Sequence, residues 1–97
     1  MQKYNDKDPS SLDIFEKLAK TGDTNSQNMA GVIYYEGELV PENLDKAKEF
    51  FLKAIKYEHP LAAYNLANVY DYEGDDKNAK FYYKKACEWG YEESCEK

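Results

Sequence analysis

Residues 63–91 read AYNLANVYDYEGDDKNAKFYYKKACEWGY. Within them Leu66, Ala67 and Tyr70 fall at i, i+1 and i+4, and Ala79, Tyr83 and Ala86 at i, i+4 and i+7. Each spacing places its residues on one stripe of an α-helix. Ala67, Ala79 and Ala86 are small, so two helix axes can approach closely while Tyr70 and Tyr83 fill the space beside them. Gly74-Asp75 separates the stripes. Glycine is free to take the positive φ that ends a helix, and aspartate is suited to cap the next one. The stretch therefore predicts a helical hairpin, closed by Tyr91.

Working outward, the same units appear upstream. A polar tail, residues 1–8, is expected to be disordered, and Asp8-Pro9 reads as an N-cap followed by proline at a first helical position. The helix that follows carries Ser11, Phe15, Leu18 and Ala19 on one stripe and ends near Thr21-Gly22-Asp23. A second helix is predicted from about Thr24 to Glu36, with Ala30, Gly31 and Tyr34 on its close-packed side and Gly37 at its end. Val40-Pro41 forces an extended step. A third helix from about Leu44 carries Ala47, Phe51 and Ala54, and Tyr57-Glu58-His59-Pro60 reads as the next turn. Residues 91–97 are predicted to begin a sixth helix of about two turns.

These pieces repeat. Ser11, Phe15, Leu18 and Ala19 recur as Ala47, Phe51, Ala54 and Ile55, and again as Ala79, Tyr83, Ala86 and Cys87. Gln27, Ala30, Gly31 and Tyr34 recur as Ala63, Leu66, Ala67 and Tyr70. Recurring helix pairs joined by turns are the signature of an α-solenoid. The fold expected is all-α: a short right-handed superhelix of about two helix–turn–helix repeats, near 24–57 and 60–90, flanked by half-repeats. The repeat domain is taken to span 9–97.

The chain has 97 residues, which makes one small domain, and a net charge of −6. Phosphate binding needs clustered lysine and arginine, so nucleic acid and anionic membranes are not expected as partners. No apolar run approaches the roughly 20 residues needed to cross a bilayer. The start, MQKYNDKDPSS, has no apolar segment of the kind that marks a signal peptide. Ten tyrosines and three prolines suit a helical domain with aromatic packing. A monomer without membrane insertion is expected.

Thr21-Gly22-Asp23, Ser26-Gln27, Ala30-Gly31, Tyr34 and Gly37, followed by Val40, Asp45, Lys46-Ala47, Phe51 and Lys53-Ala54, resemble the Sel-one-like repeat family. That family is a longer-looped relative of the tetratricopeptide repeats. The second unit, with its short loop, looks like a plain tetratricopeptide. The resemblance implies a scaffold that binds a protein or peptide and carries no catalytic residues or cofactor. Lys84-Lys85-Ala86-Cys87 followed by Cys95 is similar to the cysteine-rich secreted bacterial members, and that likeness implies a Cys87–Cys95 bridge between consecutive helices. It would place the chain in the periplasm or outside the cell if a signal peptide had been removed, and in the cytoplasm otherwise. The residues themselves leave a disulfide and two buried thiols both open; the equivalent pairs, Ala19/Gln27 and Ile55/Ala63, mark a packing contact.

Other chemistry finds little footing. Two cysteines and the lone His59, from a different turn, do not make a zinc ligand set. A Cys87–His59 nucleophile and base would lack an orienting third residue. Ser94-Cys95-Glu96-Lys97 matches S-x-x-K without the companion motifs of serine acyl-transfer enzymes. Some cysteine-rich relatives have been linked to β-lactams, so a β-lactam-binding or hydrolase activity is the alternative reading. The 19 carboxylates are spread over exposed faces, with no isolated pair for acid–base work.

The family pattern puts the first helix of each pair on the concave face. It assigns Asn25, Asn28, Val32 and Tyr35 there from one repeat, and Leu61, Tyr64, Asn65, Asn68 and Tyr72 from the next. Asparagine can hydrogen-bond a peptide backbone as donor and acceptor. Tyrosine offers large contact area at low entropic cost. The expected peptide groove is Asn28, Val32, Tyr35, Tyr64, Asn65, Asn68 and Tyr72. It is nearly uncharged except for Glu36 and Asp71 at its rim, and it lacks the lysines that would clamp an acidic tail.

Overall fold

A computed structural model describes residue 13, residues 16 and 17, and residues 19–97. The expected tail 1–8, the Asp8-Pro9 start and the stripe residues Ser11, Phe15 and Leu18 lie outside the described residues. Asp13, Glu16, Lys17, Ala19 and Lys20 are helical. Among the described residues there follow α1 (Thr24–Glu36), α2 (Leu44–Ile55), α3 (Pro60–Tyr72), α4 (Asp76–Glu88) and a 3-10 helix, Glu92–Glu96, with no strand.

Each α-helix starts on a side chain that accepts a first-turn backbone N–H. Asp23 accepts from Asn25 and Ser26, Asn43 from Lys46, His59 from Ala62, and Asp75 from Asn78. Such caps satisfy donors that have no intrahelical partner. The two loops inside the repeats differ in length yet return to the same bond. Asn43 N–H donates to the Tyr34 carbonyl at 3.0 Å, and Asp75 N–H to the equivalent Tyr70 carbonyl at 2.8 Å. The longer loop is not idle chain, because Leu39 and Val40 pack with Phe50 against Ala30 and Ile33.

The turns between repeats are equally regular. Gly22, Glu58 and Gly90 stand at equivalent positions with φ of 94°, 56° and 109°. Pro60 belongs to α3 rather than to the turn, as its first residue. Its missing N–H would have had no partner there in any case.

The helices stack in chain order: α1 on α2, α2 on α3, α3 on α4, and the 3-10 helix on α4. The core is correspondingly a string of small clusters. Phe51, Ala47 and Ala54 from α2 meet Ala62, Leu66 and Val69 from α3, all fully buried. Ala67, Ala79 and Tyr83 form the next cluster. The α1–α2 crossing depends on Gly31, where an added Cβ would stand 2.5–2.9 Å from three atoms of the Phe51 ring. Lys48 of α2 bonds Glu73 at the C-terminal end of α3 at 2.8 Å. Its ammonium also lies 5.1 Å from the Tyr70 ring centroid.

The sixth helix is not α-helical. Residues 92–96 wind as a 3-10 turn. Five residues cannot offset the cost of an α-helical nucleus. Here they are tied instead to α4 by Ser94, whose hydroxyl donates to the Tyr83 carbonyl at 2.6 Å, and by Cys95. Short segments of this kind commonly adopt the tighter helix.

Gly31→Ala tests the crossing. Alanine gains about 1 kcal/mol of helix propensity over glycine. Overpacking against a ring that has no exposed side to move into costs about 1–3 kcal/mol. The expected outcome in chemical denaturation is a net loss of about 1 kcal/mol, whereas an exposed helical glycine would show a gain.

Candidate functional site

The first helices of the two repeats, α1 and α3, meet along a ladder of side-chain pairs. At one end the Nε2 of His59 lies 2.8 Å from Asn25 Oδ1. In the middle Asn65 Nδ2 donates to Asn28 Oδ1 at 3.0 Å. At the other end Tyr35 and Tyr72 meet edge to face, their centroids 6.3 Å apart. Backbone N–H from Ala62 occupies the Nδ1 of His59 at 3.1 Å, so Nε2 carries the proton and donates to Asn25. A residue read from sequence as a turn histidine is therefore both the cap of α3 and a rung between the repeats.

The predicted groove residues fall into two kinds. Asn28 is 4% exposed and serves Asn65 from behind, so it positions the face rather than presenting itself on it. Val32 is half-buried against the α2–α3 cluster. Tyr72 is 65% exposed. Asn65 and Asn68 share one face of α3, three residues apart. Asn68 Oδ1 accepts the Tyr83 hydroxyl at 2.6 Å. Asn65 Oδ1 and Asn68 Nδ2 make no hydrogen bond among the described residues, leaving one acceptor and one donor. Asn25, in the His59 rung, and Leu61 are exposed.

Tyr64 is not isolated. It packs 5.6 Å from Tyr83 and 4.8 Å from Tyr91, centroid to centroid. Burial, and after it the charge of Asp71, pushes the Tyr83 phenol up to about 12, so it stays a donor to Asn68 across the neutral range. Burial also raises Tyr35, helped by Tyr72, Glu42 and Asp71. The part played by Tyr83, Tyr91 and Lys97 was not read from the sequence. Tyr83 sits on a core stripe, Tyr91 closes the hairpin, and Lys97 lies beyond it.

The remaining candidates take structural places. Cys87 and Cys95 are paired, with Cα atoms 4.8 Å apart. Their contact has a counterpart two repeats back in the series, where Gln27 Nε2 donates to the Ala19 carbonyl at 3.1 Å. Ser94, the serine of the S-x-x-K match, is 2% exposed and its hydroxyl is engaged with Tyr83. No group of three or more His, Cys, Asp or Glu among the described residues is arranged to hold a metal ion. No helix among them is long and apolar enough to cross a membrane.

Two family models match this architecture. Residues 24–56 match the Sel1 repeat, and residues 61–89 the tetratricopeptide repeat. The chain is a Sel1-like and tetratricopeptide-like repeat protein. A solved structure of a Sel1 repeat protein from Oxalobacter formigenes superposes with a TM-score of 0.76 at 23% identity. The match covers 89% of this chain and 37% of that one, so this repeat protein spans well under half the length of that neighbour. No curated protein matches the chain. Repeats of these two kinds generally mediate protein–protein interaction and are typically non-enzymatic.

The His59 rung gives a pH prediction. Burial holds the imidazole below its ordinary value of 6.5. A group depressed in the folded state contributes stability above its unfolded pKa and loses it as pH falls through the folded one. Melting temperature should therefore drop on acidification below about pH 6.5. In His59→Asn, which keeps a capping side chain, that part of the acid dependence should disappear. Melts recorded between pH 7.5 and pH 5 check it.

Proposed function

We propose that this repeat protein is a non-catalytic interaction module that takes a peptide or protein segment along the α1–α3 face. The face comprises Val32, Tyr35, Tyr64, Asn65, Asn68 and Tyr72, with Asn28 holding Asn65 in place. The observation that carries the reading is the uncommitted acceptor of Asn65 and donor of Asn68, set between the Tyr35–Tyr72 pair and the Tyr64–Tyr83 pair. An extended backbone needs one acceptor and one donor at close spacing, and rigid aromatic rings on either side supply apolar anchors. The ordering entropy of the asparagines is already lost in the free protein, because each is held by a partner; this preorganisation favours binding. The two repeats acting together are 24–57 and 60–90.

Tyr72 provides the cleanest test, since its side chain is largely exposed and Tyr64 is also a packing residue. Ligands selected from a random peptide display library should bind Tyr72→Ala more weakly by more than about 1 kcal/mol, roughly fivefold or more, with the melting temperature unchanged. Calorimetric titration reads the difference. Equal affinity for Tyr72→Ala and Asn68→Ala would place the ligand on another surface.

A further inference from the structure

The end of the α1–α3 face nearest the 3-10 helix already holds a cation. Lys97 Nζ lies 5.9 Å from the Tyr64 centroid and 5.6 Å from that of Tyr83. Both distances are within the range at which an ammonium is attracted to an aromatic face. The rings are fixed before any ligand arrives. Tyr83 is held through its hydroxyl to Asn68, and Tyr64 is wedged between Tyr83 and Tyr91. Beside them is a cavity of about 230 Å³ bordered by Asp71, Asp76, Ala79, Lys80, Tyr83 and Lys97. Drug-sized ligands occupy clefts of about 300–1,000 Å³, so this one has the scale of a single side chain.

The charges point the same way. Asp71 and Asp76 are exposed and neither forms an ion pair among the described residues. Lys80 and Lys97 are the cations on the rim. If Lys97 moves aside, two carboxylates face Lys80 alone. The chain as a whole carries −6. The proposed groove residues of α1 and the middle of α3, Val32, Tyr35, Asn65 and Asn68, are uncharged. At this end α4 adds Asp76, which borders the same cavity as the rim residue Asp71.

We propose that Tyr64, Tyr83, Asp71 and Asp76 form a subsite for a lysine or arginine side chain of the bound segment, and that Lys97 occupies it in the free protein. The ligand class is thus a basic peptide, entering by exchange of one ammonium for another. This rests on the groove reading above and adds the residue that the groove's end selects. An acidic or neutral segment would bring no cation to the Tyr64 and Tyr83 rings or to the cavity that Asp71 and Asp76 border.

The experiment is an NMR titration of the isotope-labelled full chain with acetyl-Gly-Tyr-Gly-Lys-Gly-amide and with its Nε-acetyl-lysine counterpart. The lysine peptide should shift the amides of Asp71, Ala79 and Tyr83, and acetylation should weaken binding by about tenfold. Lys97→Ala, which removes the internal competitor, should tighten the lysine peptide by about fivefold. The Asp71→Asn/Asp76→Asn double variant should lose the preference for lysine over acetyl-lysine. Equal binding of the two peptides, or an unchanged affinity in Lys97→Ala, overturns the subsite. Shifts confined to Val32, Tyr35, Asn65 and Tyr72 overturn it too, while leaving the groove standing. Shifts on neither set of residues overturn both.

Discussion

The stack depends on one ring. Phe51 projects from α2, lies against Gly31 of α1, and is buried among Ala62, Leu66 and Val69 of α3. Three helices are thus fixed relative to one another by a single side chain and by the absence of a Cβ opposite it. Interiors packed at crystal-like density transmit such a constraint with little slack. Because α1 and α3 are both referenced to Phe51, their facing side chains can meet as pairs, with Asn28 reaching Asn65 and Tyr35 reaching Tyr72. The face proposed to bind is in this sense a consequence of the core behind it.

The second repeat varies the same device. Tyr83 takes the place of Phe51, and Ala67 that of Gly31. Where Phe51 is fully buried, Tyr83 keeps 8% of its surface exposed and carries a hydroxyl. That hydroxyl bonds Asn68, so a core residue reaches the α3 face directly. Its backbone carbonyl holds Ser94, and its ring faces Lys97. Packing of α4, attachment of the terminal turn and the contact with Asn68 of the α3 face therefore converge on one tyrosine. The pairing of Cys87 with Cys95 secures the same junction from the other side.

Most of the fold was legible because it rests on local rules. Apolar stripes at helical spacing marked the helices, Asp75 and the glycines marked their ends, and the recurrence of Ala-Gly or Leu-Ala ahead of tyrosine set the register. What was not legible is where polar side chains find partners across repeats. Ser26, Gln27 and Asn28 are all buried in α1, which no hydrophobic pattern can reveal. Gln27 finds its partner in the Ala19 carbonyl of the preceding helix, and Asn28 finds its own in Asn65 of α3. His59 looked like a turn residue because its roles need Ala62 in sequence and Asn25 in space. The short 3-10 ending escaped for a similar reason: its helix type is decided by ties to α4, not by its own propensity.

The residues proposed for the groove differ in their surroundings. Tyr72 presents surface, Asn65 and Asn68 hold polar capacity, and Asn28 lies behind them. The central claim is that ligands lie along the first helices of the repeats and reach the second only at Asp76 and Tyr83, at the end of the proposed groove. Hydrogen–deuterium exchange of the chain with and without a library-selected peptide distinguishes the two directly. Added protection is expected in residues 24–36 and 60–72, greatest in the second half of α3. Protection confined to residues 44–55 and 76–88 would contradict it.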